Sequence, residues 1–227
     1  MANMKMVSIH VPKAAGTTRL HILQRMFDEL SILPDYDDDP CNPLAPPNQD
    51  PGVWLARRPT ALPDGVRVVH GHFPARKYDL LKDVVRVTFL RDPIDNLISI
   101  YLFWQRLELN TNSNPLHRYF VEQKLDICGL ARLPMIRFLL SRSYFGDWDM
   151  RRLDFIGCFD RQAEDLRRLG VLLGLPLDEG LLSLHVNRTL PPGAEGEREA
   201  LKADRLTIDR LTDLLVEDIR FYERYAQ

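Results

Sequence analysis

Met6-Val7-Ser8-Ile9-His10-Val11 followed by Pro12-Lys13-Ala14-Ala15-Gly16-Thr17-Thr18 is the stretch that decides the fold. The first part is apolar and partly β-branched, the composition of a strand buried within a sheet. The second part has no apolar period and holds Pro and Gly, so it reads as a loop. Leu20, Leu23, Met26, Phe27 and Leu30 then recur at spacings of three and four. That spacing predicts a helix with one buried face, with Thr17 or Thr18 near its start. A loop between strand and helix aims backbone N–H groups and a helix N-terminus at one point, which suits a phosphate or a sulfate. Gly16 lets the backbone approach closely, Lys13 brings positive charge, and the threonines bring hydroxyl donors. The loop is not a Walker A sequence, in which Lys directly precedes the hydroxyl residue; here Lys13 precedes the glycine.

Working outward, Val66–Val69 forms a short strand leading into His70-Gly71-His72-Phe73, and a short helix is expected over Ala75–Lys82. Val84–Leu90 is a nearly continuous apolar run, typical of a parallel strand covered on both faces. It enters Arg91-Asp92-Pro93, where Asp92 caps a helix and Pro93 opens it. That helix runs on to Leu109, and further helices are expected over 115–125 and 129–142. Asp154–Phe159 reads as another buried strand, 160–173 as a helix, and Asp204–Tyr225 carries helical periodicity. Alternating strands and helices predict an α/β fold, P-loop-like and three-layered, with a central, mainly parallel sheet flanked by helices. Residues 1–227 are expected to form one domain, with an irregular Pro- and Asp-rich insert at about 34–65. The run Asp35, Asp37, Asp38, Asp39 lacks calcium-loop spacing and reads as a solvated face. Trp54 reads either as a lid over a ligand or as a bland loop residue, while Tyr101, Phe103 and Trp104 read as helix packing.

The composition excludes several classes. The 227 residues carry 30 Lys plus Arg against 32 Asp plus Glu, a net charge of −2, so no global basic field exists to hold a nucleic acid. The three Cys, at 41, 128 and 158, are far apart and form no zinc pattern, which points to a reducing, cytoplasmic setting. No apolar run reaches the length of a membrane span, and the run after Lys5 is too short for a signal-peptide core.

Ligands of open α/β sheets sit beyond the carboxyl ends of the strands. Three groups share that layer: the Lys13–Thr18 loop, His70 and His72, and Arg91 with Ser99 two turns into the following helix. Each histidine could titrate near neutrality and serve as a base, or be an ordinary structural histidine; no third metal ligand accompanies them. Arg91 and Asp92 could equally be a surface pair and a cap.

Taken in order, HVPKAAGTT, HGHF, VTFLRDPIDNLISIY and FIGCFDRQAEDLRRL resemble the carbohydrate-type sulfotransferases. The HGH element is closest to the uronyl 2-O-sulfotransferase branch. The resemblance is weakest over 34–65 and 110–150. It implies 3′-phosphoadenosine 5′-phosphosulfate (PAPS) as co-substrate, with no metal. It implies that Lys13, Ala14, Ala15, Gly16, Thr17 and Thr18 hold the 5′-phosphosulfate and that Arg91 and Ser99 hold the 3′-phosphate. His72 would be the general base, with His70 beside it in support, and Lys13 would stabilise the leaving phosphate. Arg188, in His185-Val186-Asn187-Arg188, falls loosely where a loop closes over the nucleotide.

The expected reaction is in-line sulfuryl transfer to a hydroxyl of a carbohydrate or other small alcohol, with no nucleic acid or membrane span involved. Oligomeric state is not legible. A P-loop kinase shares the layout, but the misplaced lysine and the lack of a GK[ST] hydroxyl for magnesium count against it. A non-catalytic nucleotide-binding module would keep the loop without needing both Lys13 and His72.

Overall fold

The computed structural model describes residues 4–175, Gly180 and 193–227. Five strands form one sheet: β1 (Lys5–Ile9), β2 (Ile32–Asp35), β3 (Val68–Gly71), β4 (Val84–Leu90) and β5 (Phe155–Cys158). Their order is β2-β3-β1-β4-β5, and every neighbouring pair is parallel. The α/β sheet expected from the sequence is therefore present, with all five described strands parallel. The chain moves from β1 to one side and then to the other, so the strand ends around β1 form a topological switch point.

Side chains alternate across the sheet, and the two faces bury two cores. Met6, Val68, Val87, Phe89 and Phe155 face α1 (Gly16–Met26) and α8 (Gln162–Leu173), meeting Ile22, Leu23, Leu166 and Leu169. Val7, Ile9, Val69 and Leu90 face the other way, toward α4 (Pro93–Arg106) and its Leu97, Ile98 and Leu102. On that second side also lie α5 (Pro115–Glu122), α6 (Ile127–Ala131) and α7 (Pro134–Arg137). The three C-terminal helices α9 (Ala194–Ala203), α10 (Arg205–Leu214) and α11 (Val216–Tyr225) complete that layer.

Local chemistry explains most boundaries. The Asp92 carboxylate accepts from Ile94 and Asp95 N–H, and Pro93 opens α4 where no donor is needed. The single helix expected over 129–142 does not form. Pro134 has no N–H and pushes Leu133 out of the helical region, so α6 ends and α7 restarts. Asp218 then takes the N–H groups of Leu140 and Ser141, and residues Leu139–Tyr144 form a π turn.

The first helix buries much of the expected face, with Leu23 and Phe27 in the core and Met26 packed against it, but the set does not extend to Leu30. Ile22 and Leu23 are inside, whereas Leu30 lies beyond the helix end and is 91% exposed. The Pro- and Asp-rich stretch also has structure. β2 enters it as an edge strand, where Pro34 is tolerated, and two short helices follow, α2 (Pro46–Gln49) and α3 (Pro51–Ala56). Asp35 and Asp38 are not solvated: both are buried and hold Lys77 Nζ at 2.7 Å. Asp35 also accepts from the Tyr78 hydroxyl at 2.8 Å.

Gly71 lies opposite Asp35 in the β3–β2 register, and a Cβ there would collide with the Asp35 backbone. Gly71→Ala is therefore expected to cost about 1–3 kcal/mol or more by overpacking. The urea midpoint measures this; an unchanged midpoint would mean that β2 shifts freely away from β3.

Candidate functional site

The carboxyl ends of β1, β3, β4 and β5 open into one cavity of about 640 Å³, within the range of small-ligand sites. Lys13, Ala15, Gly16 and Thr17 line it from the first loop, and His72 from the end of β3. Arg91 reaches it from the end of β4, Ser99 from α4 and Phe159 from the end of β5. Three candidates lie elsewhere. Ala14 and Thr18 are buried under the loop, and His70 is fully buried below it; none of the three lines the cavity. Arg188 lies outside the described residues.

The loop backbone is strained. Lys13 and Ala15 take left-handed conformations, with φ of 62° and 60°. That geometry costs a residue with a side chain roughly 1–2 kcal/mol, and such strain gathers at binding sites. Alternating backbone handedness turns successive N–H groups to one side, the arrangement of an anion nest. Ala15 caps α1 without offering a side-chain acceptor. The first bond closing the helix runs from Arg19 N–H to Ala15 C=O, so the N–H groups before it lie at the positive end of the helix.

Among the described residues, Lys13 and Arg91 form no ion pair. Lys13 Nζ lies 4.2 Å from the centre of the Phe103 ring, and the Arg91 guanidinium lies 4.1 Å from that of Phe159. Arg91 also donates to the Lys13 carbonyl at 2.9 Å, which ties the end of β4 to the loop. Burial lowers the pKa of Lys13, with Arg91 adding to the effect. Burial lowers that of Arg91 too, with the charge of Arg198 on α9 adding to it. Asp95, Asp160 and Asp92 act on Arg91 in the opposite sense without pairing with it among the described residues, and two cations held this close suit a polyanionic ligand.

Three imidazoles converge beside this loop. His10 stacks on His70, with ring centres 5.2 Å apart, and its Nδ1 lies 3.1 Å from His72 Nε2. A Cβ on Gly16 would overlap the His10 ring, so glycine is what lets that ring lie against the start of α1. His70 Nδ1 bonds Ser8 Oγ at 2.9 Å. On its other side, His72 Nδ1 lies 3.6 Å from Asp39 Oδ2. At that distance Asp39 makes no hydrogen bond to the ring, but its negative charge favours a proton on Nδ1 over one on Nε2. Burial, and then the charges around it, hold His10 well below the usual histidine range. Burial, then Arg19 and His72, bring His70 down to about 3. Both rings are neutral at physiological pH.

His10, Asp39, Arg198 and Phe159 carried no assigned role in the sequence, and only folding brings them here. His10 directly precedes the loop, which was the one available signal. Phe103, expected to be packing, lines the cavity, whereas Trp104 both lines it and packs against His117 and Phe120, and Tyr101 packs against Phe120. Trp54 is not a lid over this cavity; its indole donates to Asp38 at 2.8 Å. Among the described residues no group of three or more His, Cys, Asp or Glu could hold a metal ion. No helix of the described residues is long and apolar enough to cross a membrane.

No family model matches the chain, and no curated protein matches it. Solved structures do. A mouse sulfotransferase, SULT7A1 complexed with PAP, aligns at a TM-score of 0.42 and 11% identity, over 97% of this chain and 88% of that one. A sulfotransferase from Alicyclobacillus acidocaldarius aligns at a TM-score of 0.42 and 18% identity, over 99% of this chain and all of that one.

The buried imidazoles give the fold a pH signature. His70 has its pKa lowered on folding, so its contribution to stability is complete above about pH 6.5 and is lost as pH falls toward about 3. His10 has the same sign. Asp218, raised to about 6 by burial, runs the other way, gaining stability as pH drops below about 6. Replacing His70 by Gln should flatten the fall in denaturation midpoint between pH 7 and pH 4.5. An equally steep fall in the variant would remove His70 from this account.

Proposed function

We propose that this chain is a PAPS-dependent sulfotransferase, moving a sulfuryl group to a hydroxyl, with His72 as general base. The observation that carries the reading is the strained Lys13–Thr17 loop facing the same cavity as His72 and Arg91. The chemistry of these residues fits the nucleotide. The loop N–H groups and Lys13 suit a 5′-phosphosulfate, and Arg91 with Ser99, in the next strand-end segment, suits a 3′-phosphate. When bound, the nucleotide supplies an activated sulfuryl group.

The chain's own residues account for the rest. A hydroxyl is a weak nucleophile, so its proton must leave as the new O–S bond forms and the S–O bond to the 5′-phosphate breaks. His72 takes that proton at Nε2, the atom that lies 3.1 Å from His10 Nδ1 and that an acceptor hydroxyl would approach. Asp39, 3.6 Å from Nδ1, favours the Nδ1–H tautomer by its charge and balances the charge that the ring gains. Burial holds His10 well below the usual histidine range, so His10 does not compete for the proton. Lys13 and the loop N–H groups stabilise the charge that grows on the departing phosphate oxygen, an effect worth roughly 3 kcal/mol per fixed donor. His70 does not reach the cavity; its bond to Ser8 and its stack on His10 make it the support of this cluster.

Calorimetry is the first test. 3′-Phosphoadenosine 5′-phosphate (PAP) should bind far more tightly than AMP or than ATP with magnesium; a preference for ATP with magnesium, or no binding of PAP, would overturn the reading. Arg91→Ala should weaken PAP by about ten- to a hundredfold and leave AMP little changed, the loss of a charge-assisted contact. Equal losses for both nucleotides would take the 3′-phosphate away from Arg91. His72→Ala should lower kcat by about 10²–10⁴-fold with PAP affinity near normal.

Asp39→Asn keeps an oxygen for the Cys41 N–H and removes the charge beside His72. Its kcat should fall by about ten- to a hundredfold, and the acidic limb of kcat/KM should move to lower pH, because the imidazolium loses its counter-charge. A pH profile that does not move would leave Asp39 only a structural role.

A further inference from the structure

Resting on the sulfuryl-transfer reading above, we propose that the acceptor is an uncharged alcohol with an apolar face, not a uronate- or sulfate-bearing polyanion. The reacting oxygen must lie between His72, which takes its proton, and the sulfuryl group at Lys13. Lys13 Nζ rests on the Phe103 ring, so Phe103 forms the next wall that an acceptor meets. Phe103 and Leu107, four residues apart, share one face of α4 and its end beyond Ser99, with Trp104 beside them. At 1.5 Å per residue this face runs about 6 Å from Phe103 to Leu107, enough for one ring. Such a wall suits the flat apolar side of a ring.

Away from the loop end, the charged side chains lining this wall among the described residues are carboxylates. Lys13 and Arg91 stand at the loop end and are taken by the nucleotide. Among the described residues, the cavity holds no other Lys or Arg, and its two carboxylates are Asp39 and Glu108. Asn112 and Ser113 add neutral polar groups near the outer end. The side chains of Glu108 and Asn112 make no hydrogen bond or ion pair among the described residues, so they are free to receive ligand hydroxyls. A ligand carboxylate or sulfate would meet the like charge of Asp39 and Glu108 at this wall and, among the described residues, no further lining Lys or Arg, which is how a site rejects a polyanion.

The test uses matched pairs of acceptors with radiolabelled PAPS and the whole chain: 2-naphthol against 6-hydroxy-2-naphthoate, and octyl β-glucoside against octyl β-glucuronide. The neutral member of each pair should have a kcat/KM at least tenfold higher. Glu108→Lys, at an exposed loop position, should narrow that preference by about tenfold, equivalent to ~1.4 kcal/mol. Equal or better turnover of the carboxylates would overturn the proposal, as would no turnover of either neutral alcohol. PAP calorimetry on the same preparation separates the two levels. If PAP binds and carboxylates are preferred, the acceptor inference alone fails; if PAP does not bind, sulfuryl transfer fails with it.

Discussion

One imidazole lies against a glycine, and the site is arranged around that contact. The ring of His10 occupies the space where a side chain on Gly16 would be. From there it stacks on His70, bonds His72, and flanks the first turn of α1. The end of β1, the end of β3 and the helix N-terminus are thus fixed to one another through a single planar group. The backbone accommodates this by putting Lys13 and Ala15 in left-handed conformations. Burial of Met6, Val7 and Ile9 in the sheet, and of Ile22 and Leu23 under α1, offsets that local strain.

The electrostatics follow from the same geometry. Arg19, on the buried face of α1, has a guanidinium with no hydrogen-bond partner among the described residues and rests 4.5 Å from the centre of the Phe89 ring. Burial brings its pKa down to about 9, so it stays charged at neutral pH. Its positive field reaches His70 and His10, and with their burial it keeps both rings uncharged. His72 is the ring of the three with a carboxylate beside it. The cluster therefore has one place suited to receive a proton, set by where Arg19 and Asp39 lie rather than by anything intrinsic to the histidines.

Legibility varied with how local the cause was. Val84–Leu90, Asp92 and Pro93 announce their strand, cap and helix because each acts over a few residues. β2 was hidden, since Ile32 and Leu33 are followed at once by Pro34 and an acidic run. Only its pairing with β3 makes an edge strand of it. The acidic run misled for the same reason: Asp35 and Asp38 are buried by Lys77 and Tyr78, more than 35 residues away in sequence. The helix expected over 129–142 was broken by Pro134, a visible local cause, and by Asp218, an invisible distant one.

The sequence by itself determined the parallel α/β layout, the place of the Lys13–Thr18 loop between the first strand and the first helix, and the layer in which Arg91 and His72 would lie. These depend on apolar period, on turn chemistry, and on the rule that parallel strands bring their ends to one edge. Tertiary structure alone decided which histidine faces the cavity, which carboxylate stands beside it, and that the far wall is aromatic and acidic. Those are outcomes of strand register and helix rotation. A step of one residue turns a side chain to the opposite face of a strand, so His70 and Gly71 separate where His72 emerges, and no spacing rule assigns Asp39 to His72 across the sheet edge.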